Sequence, residues 1–395
     1  MKKEKATISI EDIEIRDMKK QIRIHKLHFW VKIAIGVAVL ALLGAVLFFW
    51  MRYRTYGDVR LIETYEEANV EKGNYIGYAG GILKYSKDGV ALFDKQGKEL
   101  WNQPCQMNHP IAEVCEDAAV VGDEGGTDIL VFHKDGLKGE VHTTRPIEKL
   151  AVSGQGIVAA ILKNEGTPMV MCYDAKGNLL VEHNASLINT GYPIDIALSQ
   201  DGNTLLVSYL YTKGSEVATK VVYYYFGEAS GKNNEPQTTT MEYENTVVPM
   251  VKFLDQKISV LIGDNMLIFC EGMTAPKEKQ RVPLQKEIRS VAYSDKYVAL
   301  VLKNMEKTGY ELCLYQANGK KVMSTDFEGE YSNIEMLGNQ IALFDGNQCA
   351  IFNTAGVCKY AGTMEMSIKA MFRAIGINKY IVISANGFQK IQLAK

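Results

Sequence analysis

The stretch Leu92-Phe93-Asp94-Lys95-Gln96-Gly97-Lys98-Glu99-Leu100-Trp101 reads as a strand, a tight turn and a second strand ending in an aromatic ring. Its D-x-x-G turn has a plain physical basis: the first residue can accept backbone N–H groups, and Gly supplies the positive φ that closes the turn. The unit recurs at Cys172-Tyr173-Asp174-Ala175-Lys176-Gly177, at Leu314-Tyr315-Gln316-Ala317-Asn318-Gly319 and at Ile351-Phe352-Asn353-Thr354-Ala355-Gly356. Looser copies surround Phe132, Tyr225 and Phe269.

With Phe93, Phe132, Tyr173, Tyr225, Phe269, Tyr315 and Phe352 as register marks, the spacings are 39, 41, 52, 44, 46 and 37 residues. Between the marks lie short apolar runs rich in β-branched and aromatic residues, separated by Asp-Gly, Asn-Gly and Lys-Gly signals, the pattern of strands in hairpins. A repeat of roughly forty residues with four strands each is the pattern of propeller blades. After the last mark, residues 368–373, 379–384 and 388–393 supply three more strands, and a strand near Val59 to Glu63 can supply the fourth and close the ring. The expected fold is therefore an all-β propeller of four-stranded blades, eight being favoured over seven. The wide 52-residue spacing holds the polar segment Gly227 to Thr240, read as a protruding loop that tolerates insertion, with Asn233 and Asn234 as candidate binding residues.

Upstream of the repeat the character of the chain changes. Residues 33–51, from Ile33 through Gly36, Gly44 and Trp50 to Met51, form an uncharged run of 19 residues, which as a helix spans about 28 Å, close to the apolar thickness of a bilayer. Phe29 and Trp30 at one end, with Phe48, Phe49 and Trp50 at the other, match the aromatic belts of a transmembrane helix. Six cations from Arg16 to Lys32 precede the run and three, Arg52, Arg54 and Arg60, follow it, which favours a cytoplasmic N-terminus and an extracytoplasmic remainder. The bulky sequence Phe48-Phe49-Trp50-Met51-Arg52 offers no small-x-small cleavage site, so an uncleaved anchor is expected rather than a signal peptide. Ala34, Ala38, Ala41 and Ala45 share one helical stripe, a spacing that allows close helix approach and is also common in any such helix. The expected division is a solvated cytoplasmic tail over 1–32, the transmembrane helix over 33–51, a stalk over 52–72 that can lend the closing strand, and the propeller over 73–395.

Composition bounds the function. Hydrophobic residues at 47% and charged residues at 23% exclude a disordered or collagen-like chain. The net charge of −2 hides an asymmetry: residues 1–32 carry nine Lys and Arg against five Asp and Glu, and the rest carries 35 against 41. A mildly acidic main domain lacks the clustered cations that nucleic acid requires. The seven cysteines are scattered without a C-x-x-C pair; they read as core thiols, with a Cys105 to Cys115 bridge as the leading exception.

No catalytic, cofactor or metal-ligand pattern stands out: there is no phosphate loop, G-x-S-x-G elbow, H-E-x-x-H or EF-hand motif. The histidines His109, His133, His142 and His183 lie at unrelated positions of the repeat. The acidic loop from Gly122 to Asp128 presents Asp123, Glu124 and Asp128, which could offer oxygens to Ca²⁺ but read more simply as a solvated hairpin tip. Tyr209, Tyr211, Tyr223 and Tyr225 alternate along two neighbouring strands, as blade packing or as an aromatic platform.

The D-x-x-G-x-x-x-W element from Asp94 to Trp101 resembles the repeat of the pyrroloquinoline-quinone-like propellers, a superfamily that includes quinoprotein dehydrogenases and the outer-membrane assembly lipoprotein propeller. In the enzymes a Trp in many blades staples the ring, whereas Trp101 is the sole Trp outside the membrane region here, and no position matches a cofactor ligand. Residues 81–89, 100–103, 145–149 and 191–199 together resemble a membrane-anchored propeller family of anaerobic Gram-positive bacteria catalogued as domain of unknown function 5711. That resemblance implies a fold and a location but no activity. The expected task is a binding or scaffolding module, with no catalysis of its own and no cofactor, held to the lipid bilayer by one helix and recruiting an envelope protein or glycan. A quinoprotein-like or glycan-active enzyme and a ligand sensor relaying through the helix are the alternatives.

Overall fold

The computed structural model describes residues 10–65, 70–164, 166, 168–184, 190–227 and 236–395; Asn233 and Asn234 lie outside them. The chain divides into two units, residues 1–54 and 55–395. The first contains one continuous helix, Ile10–Tyr53. Residues 10–32, expected as a solvated tail, are thus helical. The physical reason lies in their composition: no Gly or Pro interrupts residues 10–35, acids lead and cations follow in the sense the helix dipole favours, and an apolar helix already formed downstream propagates at little cost. From Lys26 to Tyr53 the helix is long and apolar enough to cross a membrane.

Among the described residues the second unit forms eight four-stranded antiparallel sheets, the blades of a propeller. The first blade is built from Asn74–Tyr78, Gly81–Tyr85, Gly89–Phe93 and Glu99–Pro104, paired in chain order from the bore outwards. Blades 2 to 7 repeat that order over 110–142, 147–184, 192–244, 250–283, 288–327 and 333–363. The eighth takes its three inner strands from the C-terminus, Ala370–Arg373, Lys379–Ser384 and Gly387–Ala394, and its outer strand from Asp58–Tyr65. That strand pairs with its neighbour from Asp58 opposite Ala394 to Tyr65 opposite Phe388, so the stretch expected as a stalk closes the ring.

The core is divided into wedges, one at each of the eight junctions between neighbouring blades. A blade is therefore covered on both faces, and its middle strands read as unbroken apolar runs: Val158–Leu162 is buried throughout. The outermost strands alternate or are largely exposed, as in Lys277–Pro283. All seven aromatic marks fall in third strands, and all but Tyr225 are buried.

The D-x-x-G turns behave as their chemistry demands. Asp94 Oδ1 accepts from the N–H groups of Gln96 and Lys98 at 2.8 and 2.9 Å; Asp174 does the same for Lys176 and Asn178, and Asn353 for Ala355 and Val357. Gly97, Gly177, Gly319 and Gly356 have φ of 78°, 85°, 80° and 79°. A β-bulge follows the turn: Phe93 faces Glu99 and Leu92 faces Trp101, which leaves Leu100 unpaired and exposed. Trp101 itself donates from Nε1 to the Lys134 carbonyl at 3.0 Å and stacks on Phe132 at 5.1 Å, joining blade 1 to blade 2. At Gly177 an added Cβ would lie 2.8 Å from the Glu140 carbonyl oxygen. Gly177→Ala is expected to lower stability by about 1–2 kcal/mol, from the left-handed backbone and the contact together. Urea denaturation checks this, and an unchanged midpoint would mean that the turn has an alternative geometry.

Candidate functional site

The innermost strands of the blades surround a central bore, and charges sit on them in otherwise apolar segments: Glu113 in Pro110–Cys115, Asp195 in Tyr192–Leu198, Lys252 in Met250–Phe253 and Glu335 in Asn333–Met336. Lys252, in blade 5, reaches Glu113, in blade 2, with Nζ to Oε1 at 2.8 Å. The two strands are separated by three steps around the ring, so this ion pair is a strut across the bore. Nζ of Lys252 also lies 5.8 Å from the centre of the Tyr293 ring in blade 6, and the Asp195 carboxylate in blade 4 accepts the Val251 N–H at 2.8 Å.

The electrostatics follow from that arrangement. Burial opposes the charge on Lys252, but Glu113, Tyr293 and Asp195 outweigh it and hold the ammonium above its usual range. Burial raises Asp195, an effect that Lys252, the Val251 N–H and Lys149 reduce. Glu113, Lys252 and Tyr293 line a cavity of about 340 Å³ that opens where the first and second strands of each blade turn, with Cys115, Glu116, Gln200 and Asp295 at its rim and Val114, Val152, Leu198 and Phe253 among its walls. A preformed cavity with apolar walls and a few convergent polar groups has the make-up of a ligand site.

Further round the bore, Glu335 accepts the Met371 N–H at 3.1 Å and burial pushes its carboxyl up to about 8. The folded chain therefore holds a proton that the unfolded chain releases above its ordinary value of 4.5. Stability from this group is full below pH 4.5 and is lost as pH rises through about 8. Glu335→Gln should flatten that slope; parallel urea titrations at several pH values between these limits check it, and parallel slopes in the two proteins would show that Glu335 ionises freely.

The residues singled out from sequence are placed elsewhere. Asp123 is 8% exposed and its Oδ1 accepts the N–H groups of Asn108 and His109 at 2.9 and 2.7 Å, tying a hairpin to the preceding linker. Glu124 is exposed, and Asp128 pairs with His142 at 2.7 Å. No group of three or more metal-ligating side chains occurs among the described residues. Cys105 and Cys115 are free: the strand Pro110–Cys115 lies between them and carries them to opposite faces of the ring. Tyr209 and Tyr223 are fully buried, bonded to Tyr224 and Ser259, so blade packing accounts for them, while Tyr211 bonds Glu242 at the surface. Ile33, Gly36, Gly44, Trp50 and Met51 all lie on the helix Ile10–Tyr53. The bore pair was not found from sequence because its members are 139 residues apart; the available signal was a charge inside an apolar run at the innermost position of the repeat.

The model of the family described as a family of unknown function (DUF5711) matches residues 52–393, from the last turn of the helix through all eight blades. The chain belongs to this family. None of the curated proteins matches it. Among solved structures, the computationally designed Ika8 protein is 14% identical, with 86% of this chain and 99% of that chain covered and a TM-score of 0.53. The C-terminal WD40 domain of Sif2 is 11% identical, with 85% and 98% covered and the same TM-score. BamB from Moraxella catarrhalis is 14% identical over 85% and 99%, with a TM-score of 0.48. The likeness to Ika8 and Sif2 is one of fold. It places this DUF5711 member among propellers, and its bore and loops must be read on their own residues.

Proposed function

We propose that this DUF5711 propeller is a binding or scaffolding module, held on the outer side of the cytoplasmic membrane by its N-terminal helix, that recruits an envelope protein or glycan without catalysing a reaction. The observation that carries the reading is the bore cluster: Lys252 and Glu113 neutralise one another across the ring, and Asp195 is engaged by Val251. Groups fixed in this way give a rigid, preformed surface for recognition. The helix supports the location by length and composition, and the excess of cations before it supports a cytoplasmic N-terminus.

Two measurements test the halves of the proposal separately. Protease added to intact cells stripped of their wall should degrade the propeller while an N-terminal tag stays protected; protection of the propeller would overturn the stated orientation. Affinity capture of the full chain from solubilised membranes should recover a discrete envelope protein or glycan, retained by wild type and lost on substitution of rim residues Gln200 and Asp295. Repeated recovery of neither would sink the binding role.

A further inference from the structure

On the opposite face from Thr55, where the chain enters the propeller, blades 6 and 7 leave two adjoining cavities of about 320 and 370 Å³. Both are lined by Tyr310 and Glu330, so they form one groove. Three rings form a shelf along it: Tyr310 lies 5.7 Å from Phe327 at an interplanar angle of 25°, and Phe327 lies 5.9 Å from Tyr331. These rings are the outer end of the wedge between the blades and are only half-buried.

Around the shelf stand groups that donate and groups that accept. Arg289 lines the first cavity with Ser290, Ser332 and Asp345, and the Tyr310 hydroxyl donates to Glu330 at 3.4 Å. Of the three cations that line the groove, Arg289 pairs with Glu287 at 2.9 Å and Lys307 with Asp326 at 2.6 Å, and Lys303 shares its cavity with the carboxylates of Glu328 and Glu330. Two glycines keep the backbone close. A Cβ at Gly309 would lie 2.6 Å from the Phe327 carbonyl oxygen, and one at Gly329 would press on the Tyr331 ring at 3.2 Å, both residues having positive φ.

We propose that the groove between blades 6 and 7 binds an uncharged oligosaccharide. A pyranose presents a face of C–H groups that lies against an aromatic ring and a rim of hydroxyls that both donate and accept. The aromatic shelf meets the first requirement, and the mixed set of Arg, Glu, Asp and Ser meets the second. The lining sets three cations, Arg289, Lys303 and Lys307, against three carboxylates, Glu328, Glu330 and Asp345, a balance that favours a neutral ligand over an anionic one, and the shared residues of the two cavities favour a chain of sugars over a single one. The inference goes beyond the bore cavity proposed above: it gives the same binding module a second site, on the opposite face, whose ligand is a glycan.

The test uses the full chain in detergent micelles, titrated calorimetrically with soluble neutral oligosaccharides: glucose, mannose and N-acetylglucosamine oligomers of increasing length. At least one series should bind, more tightly as it lengthens. Arg289→Ala and Glu330→Gln, both at the surface, should each weaken it about tenfold, and Tyr310→Leu should do so more strongly, with melting curves confirming that each variant is folded. Ile375→Ala, on the other face, should leave binding unchanged. Absence of binding by every oligosaccharide overturns the inference, as does binding that ignores all three groove substitutions, and a peptide library that binds the groove in place of sugars would do so too. If affinity capture recovers an envelope protein while the oligosaccharides stay unbound, the binding role stands and the sugar groove falls; if both fail, the binding role falls as well.

Discussion

A chain shortened to begin at residue 66 should lose cooperative folding, whereas one that begins at residue 55 should unfold in a single sharp transition. The difference between them is the strand Asp58–Tyr65, the outer strand of blade 8. Its seven paired positions along Gly387–Ala394 hold the two ends of the propeller together. At about 0.5–1.5 kcal/mol for each ladder hydrogen bond, the loss is on the order of 5 kcal/mol, comparable with the whole stability of an ordinary domain. Phe388 makes the same point with a single residue. It is 1% exposed, packs on Phe93 at 4.9 Å and on Tyr75 at 5.9 Å, and so joins blade 8 to blade 1. Phe388→Ala is expected to cost about 3–5 kcal/mol. Calorimetry of the two truncations and the point variant decides the matter: equal melting temperatures for the truncations would show that ring closure does not depend on the N-terminal strand.

The fold was legible because the repeat is written in local chemistry. Asp94, Asp174 and Asn353 cap their own turns, Gly97 and its counterparts supply positive φ, and the aromatic marks are held in the third strand of each of blades 1 to 7. Three C-terminal strands that needed a fourth pointed to closure by residues near Val59. The site was not legible for the converse reason. Glu113 and Lys252 meet only because the ring brings their strands to a common bore, and the groove of Tyr310, Phe327 and Tyr331 arises where a hairpin of blade 6 meets the linker to blade 7. Asp123 looked available in sequence because a hairpin-tip carboxylate usually faces water, yet its neighbours Asn108 and His109 present N–H groups that capture it. The helical residues 10–32 were hidden by their polarity, since a polar segment continues a helix when the neighbouring turns are already formed.

The strut across the bore is the second place where one substitution should have a large effect. Lys252 is 13% exposed and Glu113 34% exposed at the side chain, so the pair sits between a surface bridge and a fully buried one. Lys252→Met removes the cation and leaves the Glu113 carboxylate with reduced solvation and no partner. Breaking a fully buried pair costs about 3–5 kcal/mol, and screening at the partly open Glu113 lowers the expected loss to about 2 kcal/mol. Because the cost comes from the orphaned carboxylate, the double variant Lys252→Met with Glu113→Gln should recover at least half of it, although it restores no ion pair. Urea unfolding of the wild type, the two single variants and the double variant gives the coupling directly. A double variant as unstable as the sum of the singles would mean that Lys252 acts through its packing against Tyr293 rather than through its charge, and the bore would then have to be regarded as an apolar seam instead of an electrostatic strut.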